Sequence, residues 1–113
     1  MQRDPQFLLD MLQSAQLAVC YSAGHSETDF LADVQLQDAV IRRILIVAEA
    51  ARRVSETTRQ ATPQIPWADI NGMRNRLVHE YDDVDLTIVW YAVQSSLPRL
   101  IAELEKTVYP EEN

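Results

Sequence analysis

The sequence predicts an all-α fold: a single domain over residues 1–113, built as a four- to five-helix up-down bundle. Three observations carry this. Two glycines and five prolines leave little punctuation for a many-turned sheet, so long helices are favoured. Apolar residues recur at three- and four-residue steps through most of the chain, the spacing of one helix face. At 47% apolar and 24% charged, the composition is globular, and the length suffices for one modest core.

The first helix is expected from about Pro5 to Cys20, burying Phe7, Leu8, Met11, Leu12, Ala15, Ala18 and Val19. Pro5 suits the first turn, with Asp4 as the cap before it. Gly24 ends this element or its tail. Ser26-Glu27-Thr28-Asp29 then reads as a capping box that opens a short helix or turn through Phe30 and Leu31. A long helix is expected from about Val34 to Arg59, with Leu36, Val40, Ile44, Val47, Ala51 and Val54 as its apolar stripe. Ile41, Leu45, Ile46 and Ala48 widen that stripe nearly all the way round, so this helix wants partners on more than one side. Residues 60–66 read as a loop, because Pro63 and Pro66 bias the residues before them away from helix. Trp67 opens the next helix, which gives way to an acidic turn at Asp82-Asp83-Val84. Asp85 caps the last helix, whose core face is Leu86, Val89, Trp90, Val93, Leu97, Leu100, Ile101 and Leu104. Pro98 falls inside that pattern and should kink it.

The net charge of −7 argues against broad electrostatic attachment to nucleic acid. The cations are not spread evenly, however. Arg42, Arg43, Arg52, Arg53, Arg74 and Arg76 are six of the ten, while acids gather in 80–85 and 103–112. A local positive cleft fits that distribution, and so does a partner with a basic face. Apolar runs fall far short of the roughly 18 residues that span a bilayer, and the N-terminal Met-Gln-Arg-Asp-Pro-Gln lacks a signal-peptide core. A cytoplasmic protein without membrane attachment is expected. The lone Cys20 is expected as a small core residue in a reducing compartment. There is no Gly-rich phosphate loop and no serine or cysteine recognisably paired with a base. The acids near His79 (Glu80, Asp82, Asp83 and Asp85) read as a solvated turn and a cap, and His25 has no companion. No metal site and no cofactor are expected.

Residues 74–81, Arg-Asn-Arg-Leu-Val-His-Glu-Tyr, carry the chemistry. Arginine keeps its charge and suits a phosphate. Histidine exchanges a proton near neutral pH and serves as acid or base. Metal-free RNA cleavage needs a base for the ribose 2′-OH, an acid for the leaving oxygen, and positive charge for the phosphorane. Arg74 and His79 supply these, Asn75 can orient the phosphate or a ribose hydroxyl, and Tyr81 can stack a base or contact phosphate. On one regular helix, five residues turn His79 about 140° away from Arg74. Either the helix loosens near His79 or a second copy faces the first across a two-fold axis, and the second arrangement predicts a homodimer.

The Arg-x4-His-x-Tyr spacing, with Asn75 after the arginine, resembles the signature of the HEPN ribonuclease superfamily. The likeness extends through Asp38-Ala39-Val40-Ile41-Arg42-Arg43, Ala48-Glu49-Ala50-Ala51, Ile65-Pro66-Trp67, Gly72-Met73-Arg74-Asn75 and Val89-Trp90 before Leu97-Pro98. Together, over roughly residues 5 to 105, these segments resemble HepT, the HEPN toxins of the HepT–MntA toxin–antitoxin systems. One departure is Ala48, where that family usually has Gly before the glutamate. The resemblance implies a HEPN-like homodimeric ribonuclease toxin of a type II/VII-like pair, cleaving RNA without metal at the dimer interface. It carries over Arg74 and His79 as catalytic and Asn75 as their support. It also implies a minimal nucleotidyltransferase antitoxin, MntA-like, that AMPylates Tyr81.

Other readings stay open on the residues alone. Two other readings fit the same residues: a motif that holds nucleotide or a partner without cutting RNA, and a plain helix end that carries Arg74 and His79 by accident. Trp67 and Trp90 read as core anchors. Glu49 either pairs with Arg52 or Arg53 one turn on, or supports Arg74 or His79 from the neighbouring helix. Asp38 and Arg42 are spaced for an ion pair, and Arg76 faces either RNA phosphate or solvent.

Overall fold

The computed structural model describes residues 3–110; the side chain of Tyr81 lies outside the described set. Three long helices, α1 (Asp4–Ser22), α3 (Val34–Arg53) and α5 (Trp67–His79), are linked through two short ones, α2 (Glu27–Ala32) and α4 (Glu56–Ala61). A 3-10 turn, Tyr81–Asp83, leads into α6 (Leu86–Tyr91), a π-turn (Ala92–Ser96) and α7 (Leu97–Val108), which follow one another as a continuous helical run. No strand occurs among the described residues. The all-α bundle expected from periodicity is the fold observed.

α3 is the central element. It packs against α1 on one side and α5 on another, as its nearly continuous apolar surface demands, while α1 also packs on α7. Val40, Ile44, Val47, Ala51 and Val54 of the expected stripe are buried, and meet Leu8, Met11, Leu12, Ala15 and Ala18 of α1 in one core. Val89, Val93, Leu97, Leu100 and Leu104 complete that core from the last helical run. Phe30 of α2 is wholly buried, with its ring 5.4 Å from that of Trp90. The reading of Trp90 as a core anchor therefore stands, with the ring half buried.

Several local expectations hold and several are corrected. Ser26 and Asp29 form the capping box of α2, and Asp85 caps α6 by accepting from the backbone of Thr87 and Ile88. The long helix does not reach Arg59. It stops at Arg53, where Val54 turns extended (ψ 135), and Ser55 starts α4 by accepting from Thr58 N at 3.3 Å. Asp4 does not cap its own helix: it is the first residue of α1, and its carboxylate accepts from Ser55 N at 3.0 Å, Ser55 Oγ at 2.6 Å and Thr58 Oγ1 at 2.6 Å. An acid beside a helix start in sequence is thus used to tie α1 to the break after α3. Cys20 is exposed and not a core residue, because it lies across α1 from the buried Ala18 and Ser22. Asp38 and Arg42 form no ion pair within 4 Å among the described residues.

Pro98 lies at the start of α7, directly after the π-turn. It has no N–H for the carbonyl four residues back, and its ring would crowd that carbonyl in a regular helix. The preceding turn widens instead, with Leu97 N–H bonded five residues back to Ala92 O. The extra residue in that turn absorbs the clash while Val93, Leu97 and Leu100 stay on the core face.

The hydroxyl of Ser55, and after it that of Thr58, hold the Asp4 carboxyl down from its ordinary 3.8 to about 2. A group whose pKa falls on folding stabilises the fold fully above its unfolded value and loses that contribution as pH falls through the folded one. Urea unfolding of the wild type should therefore weaken between about pH 4 and pH 2, and Asp4→Asn should flatten that limb. In the core, Phe30→Ala should cost about 3–5 kcal/mol of unfolding free energy, measured by chemical denaturation.

Candidate active site

α5 owes its position to a narrow apolar edge. Leu77 is buried and Ile70 and Met73 are partly buried against the core, at the steps of one helix face. Trp67 anchors the start, its indole Nε1 donating to Thr62 O at 3.2 Å. With that edge turned inward, Asn71, Arg74, Asn75 and Val78 share the outward side, because they fall at i, i+3, i+4 and i+7.

Arg74 is held from two directions. Its Nε donates to Glu49 Oε1 of α3 at 3.2 Å, and its Nη1 donates to Asn75 Oδ1 at 3.3 Å. Glu49 Oε1 also lies 3.6 Å from Arg52 Nη1, so one carboxylate serves two arginines. Both readings of Glu49 are therefore realised at once: an intrahelical pair with Arg52 and a bridge to α5. The Arg74 side chain is 22% exposed and that of Glu49 is 48% exposed, so the pair sits at the surface of the α3–α5 junction, open to a ligand. Arg74 Nη2 takes part in no hydrogen bond among the described residues.

His79 stands apart from this cluster. It is the last residue of α5, is exposed, and makes no hydrogen bond or ion pair among the described residues. α5 is regular α-helix from Trp67 to His79, so nothing loosens between Arg74 and His79 to bring them together within one chain. Exposure places His79 outside the core. Tyr81 opens the 3-10 turn, and its side chain is outside the described set. Arg76 lies on another side of α5, in a pocket of about 200 Å³ that it shares with the acids Glu80, Asp83 and Asp85.

Beyond the motif, a trough of about 380 Å³ runs between α1 and α3, lined by Phe7, Arg42, Arg43, Glu49 and Arg53 among others. None of these three arginines has an ion-pair partner within 4 Å among the described residues. The Glu49 that braces Arg74 is also in its lining. Asp10 also lines this trough, so two carboxylates face the three arginines there. The spacing of residues 42, 46, 49 and 53 at helical steps is the signal that places them on one side of α3. Among the described residues, no group of three or more His, Cys, Asp or Glu side chains is arranged to hold a metal. No helix among them is long and apolar enough to cross a membrane.

An all-helical domain that presents a braced Arg-Asn pair and an exposed histidine five residues on is a HEPN-like domain. The chain belongs to the HepT-like family, described as "Ribonuclease HepT-like", whose family model matches residues 11–107. It is 32% identical over 100 residues to "Probable ribonuclease HepT" of Thermococcus cleftensis, covering 88% of this chain and 91% of that one. Similar likeness links it to "Putative RNase MJ1380" of Methanocaldococcus jannaschii, 31% identical over 99 residues (88% of this chain, 91% of that one). "Putative RNase TTE0752" of Caldanaerobacter subterraneus is 33% identical over 102 residues, 90% of this chain and 88% of that one. No solved structure matches the chain.

A surface ion pair of this kind contributes little to folding, about 0–1 kcal/mol. Glu49→Gln should therefore leave urea-unfolding stability within about 1 kcal/mol of wild type. A much larger loss would make Glu49 a structural strut and not a brace for Arg74.

Proposed function

We propose that this chain is a metal-independent endoribonuclease toxin that acts in the cytoplasm as a homodimer and is silenced by a nucleotidyltransferase antitoxin. The observation that carries the reading is Arg74 itself: braced by Glu49 and Asn75, with Nη2 uncommitted, beside a trough of unpaired arginines in a chain of net charge −7. Arginines that form no ion pair among the described residues, gathered along one groove, offer a polyanion a local attraction that the net charge does not.

In the proposed reaction the ribose 2′-oxygen attacks the adjacent phosphorus and its proton passes to a neutral His79. Arg74 stabilises the charge that builds on the phosphorane oxygens, with Asn75 holding the phosphate. The P–O5′ bond then breaks, and a protonated His79 of the partner subunit supplies the proton to the leaving 5′-oxygen, leaving a 2′,3′-cyclic phosphate. Two copies are needed because the regular α5 turns His79 about 140° from Arg74. Facing motifs across a two-fold axis put one chain's His79 opposite the other's Arg74. Arg76, placed among Glu80, Asp83 and Asp85, supports this centre from outside it.

Silencing follows the same electrostatics. The antitoxin would join the Tyr81 phenolic oxygen to the α-phosphorus of ATP, with loss of the phenolic proton and departure of pyrophosphate. The resulting AMP places bulk and negative charge two residues from His79, repelling RNA phosphates from Arg74. The competing reading, a helical module that binds nucleotide or a partner without cutting, draws on the net charge of −7.

His79→Ala should lower RNA cleavage by at least about 100-fold with unchanged circular dichroism, and Arg74→Ala should do the same through lost charge stabilisation. Cleavage should persist in excess EDTA. Undiminished cleavage by His79→Ala would sink the mechanism. Co-expression with the nucleotidyltransferase, followed by peptide mapping of residues 74–85, should place AMP mass increments on Tyr81; an unmodified chain would remove that mode of silencing.

A further inference from the structure

We propose that the pocket between α3, α4 and α5, beside the Arg74–Glu49 pair, is a nucleotide-binding site. Its volume is about 320 Å³, and its lining includes the buried Ala48 and Ala51 and the exposed Ala68. Its walls are Arg52, Arg59, Trp67 and Asn71. That size lies at the lower end of the roughly 300–1,000 Å³ of small-molecule pockets, and alanines leave room for a flat ring.

Each wall residue matches one part of a nucleotide. Trp67 is half buried and its indole is fixed through Nε1 to Thr62 O at 3.2 Å, so a base can stack on it without ordering a mobile ring. Asn71 offers a donor and an acceptor to a base edge or a ribose hydroxyl. Arg52 and Arg59 supply two guanidinium groups for phosphate, and no acidic side chain lines the pocket. Arg59 adds a separate observation: its Nε–H is buried with no acceptor. A buried donor without a partner costs free energy, and a turn of the Arg59 guanidinium toward a bound phosphate would relieve it.

The pocket also connects to the proposed reaction centre. Arg52 reaches Glu49 at 3.6 Å, Glu49 reaches Arg74 at 3.2 Å, and Asn71 precedes Arg74 and Asn75 by one turn on the same side of α5. A second pocket of about 320 Å³, on the α7 side of α5, has Asp69 and Glu103 beside Arg99 in its lining, whereas this one has two arginines and no acid among its described lining residues. The ligand is therefore a nucleoside monophosphate unit, its base on Trp67 and its phosphate between Arg52 and Arg59. Two sources share that chemistry: a nucleotide of an RNA strand flanking the scissile phosphate, and a free mononucleotide. The first rests on the ribonuclease reading.

The test titrates the full-length His79→Ala protein, which cannot cut, with AMP and separately with a short single-stranded oligoribonucleotide. The Trp67 indole N–H resonance, assigned with Trp67→Phe, reports occupancy. A saturable shift is expected, weakened at least about tenfold by Arg59→Gln through loss of a charge-assisted bond. Arg52→Gln should weaken it as well, and serves if Arg59→Gln fails to fold. Tighter binding of the oligonucleotide than of AMP assigns the pocket to RNA, and equal binding assigns it to free nucleotide. No saturable shift with either probe, or undiminished affinity in both arginine variants, overturns the proposal. RNA cleavage by the wild type is assayed in parallel. Cleavage without any Trp67 shift removes the pocket and leaves the ribonuclease, whereas a shift without cleavage keeps the pocket and removes the ribonuclease.

Discussion

The middle of α3 is apolar nearly all the way round, and the bundle is arranged to cover it. Each fully buried aliphatic side chain on it, such as Val40, Ile44 or Val47, contributes about 1.5–3 kcal/mol over an exposed one. That gain is collected only if α1 and α5 lie on two different sides. Once they do, the polar residues left on α3 fall at the seams. Glu49 meets Arg74 at the α5 seam, and Arg42, Arg43 and Arg53 line the α1 seam. The electrostatic features of the surface are thus by-products of how a hydrophobic helix is wrapped.

The same economy governs the helix ends. Asp4 serves the break between α3 and α4 and leaves its own helix without a side-chain cap. This contact lies at the break where α3 ends and α4 begins, and Arg59 of α4 and Trp67 of α5 line one pocket. At the other end of the chain, a wider turn accommodates Pro98, and the last run keeps its core face packed on α1.

Within the motif, the chemistry divides between groups the chain brings together and one it leaves out. Arg74, Asn75 and Glu49 form a connected set within a single copy, whereas His79 ends α5 on a different azimuth. A regular helix cannot aim residues five apart at one atom. This is why the proposed mechanism takes its second proton carrier from another subunit.

How much of this was legible beforehand depends on whether local chain chemistry decides the feature. Periodicity, the Ser26–Asp29 capping box and the Asp85 cap are local, so the helical class, the core faces of α1, α3 and the last run, and the family likeness of residues 74–81 could all be read from the sequence. The end of α3, the role of Asp4 and the exposure of Cys20 went against expectation: the first two depend on a contact fifty-one residues apart in the chain, and the third on which side of α1 the neighbours cover. Glu49 was open between two pairings and the tertiary structure made both, because one carboxylate at a helix seam reaches a neighbour on each side. The α3–α4–α5 pocket had no sequence signature at all. Its lining comes from three helices whose approach is decided by burial of α3, and spacing along one chain carries no record of that approach.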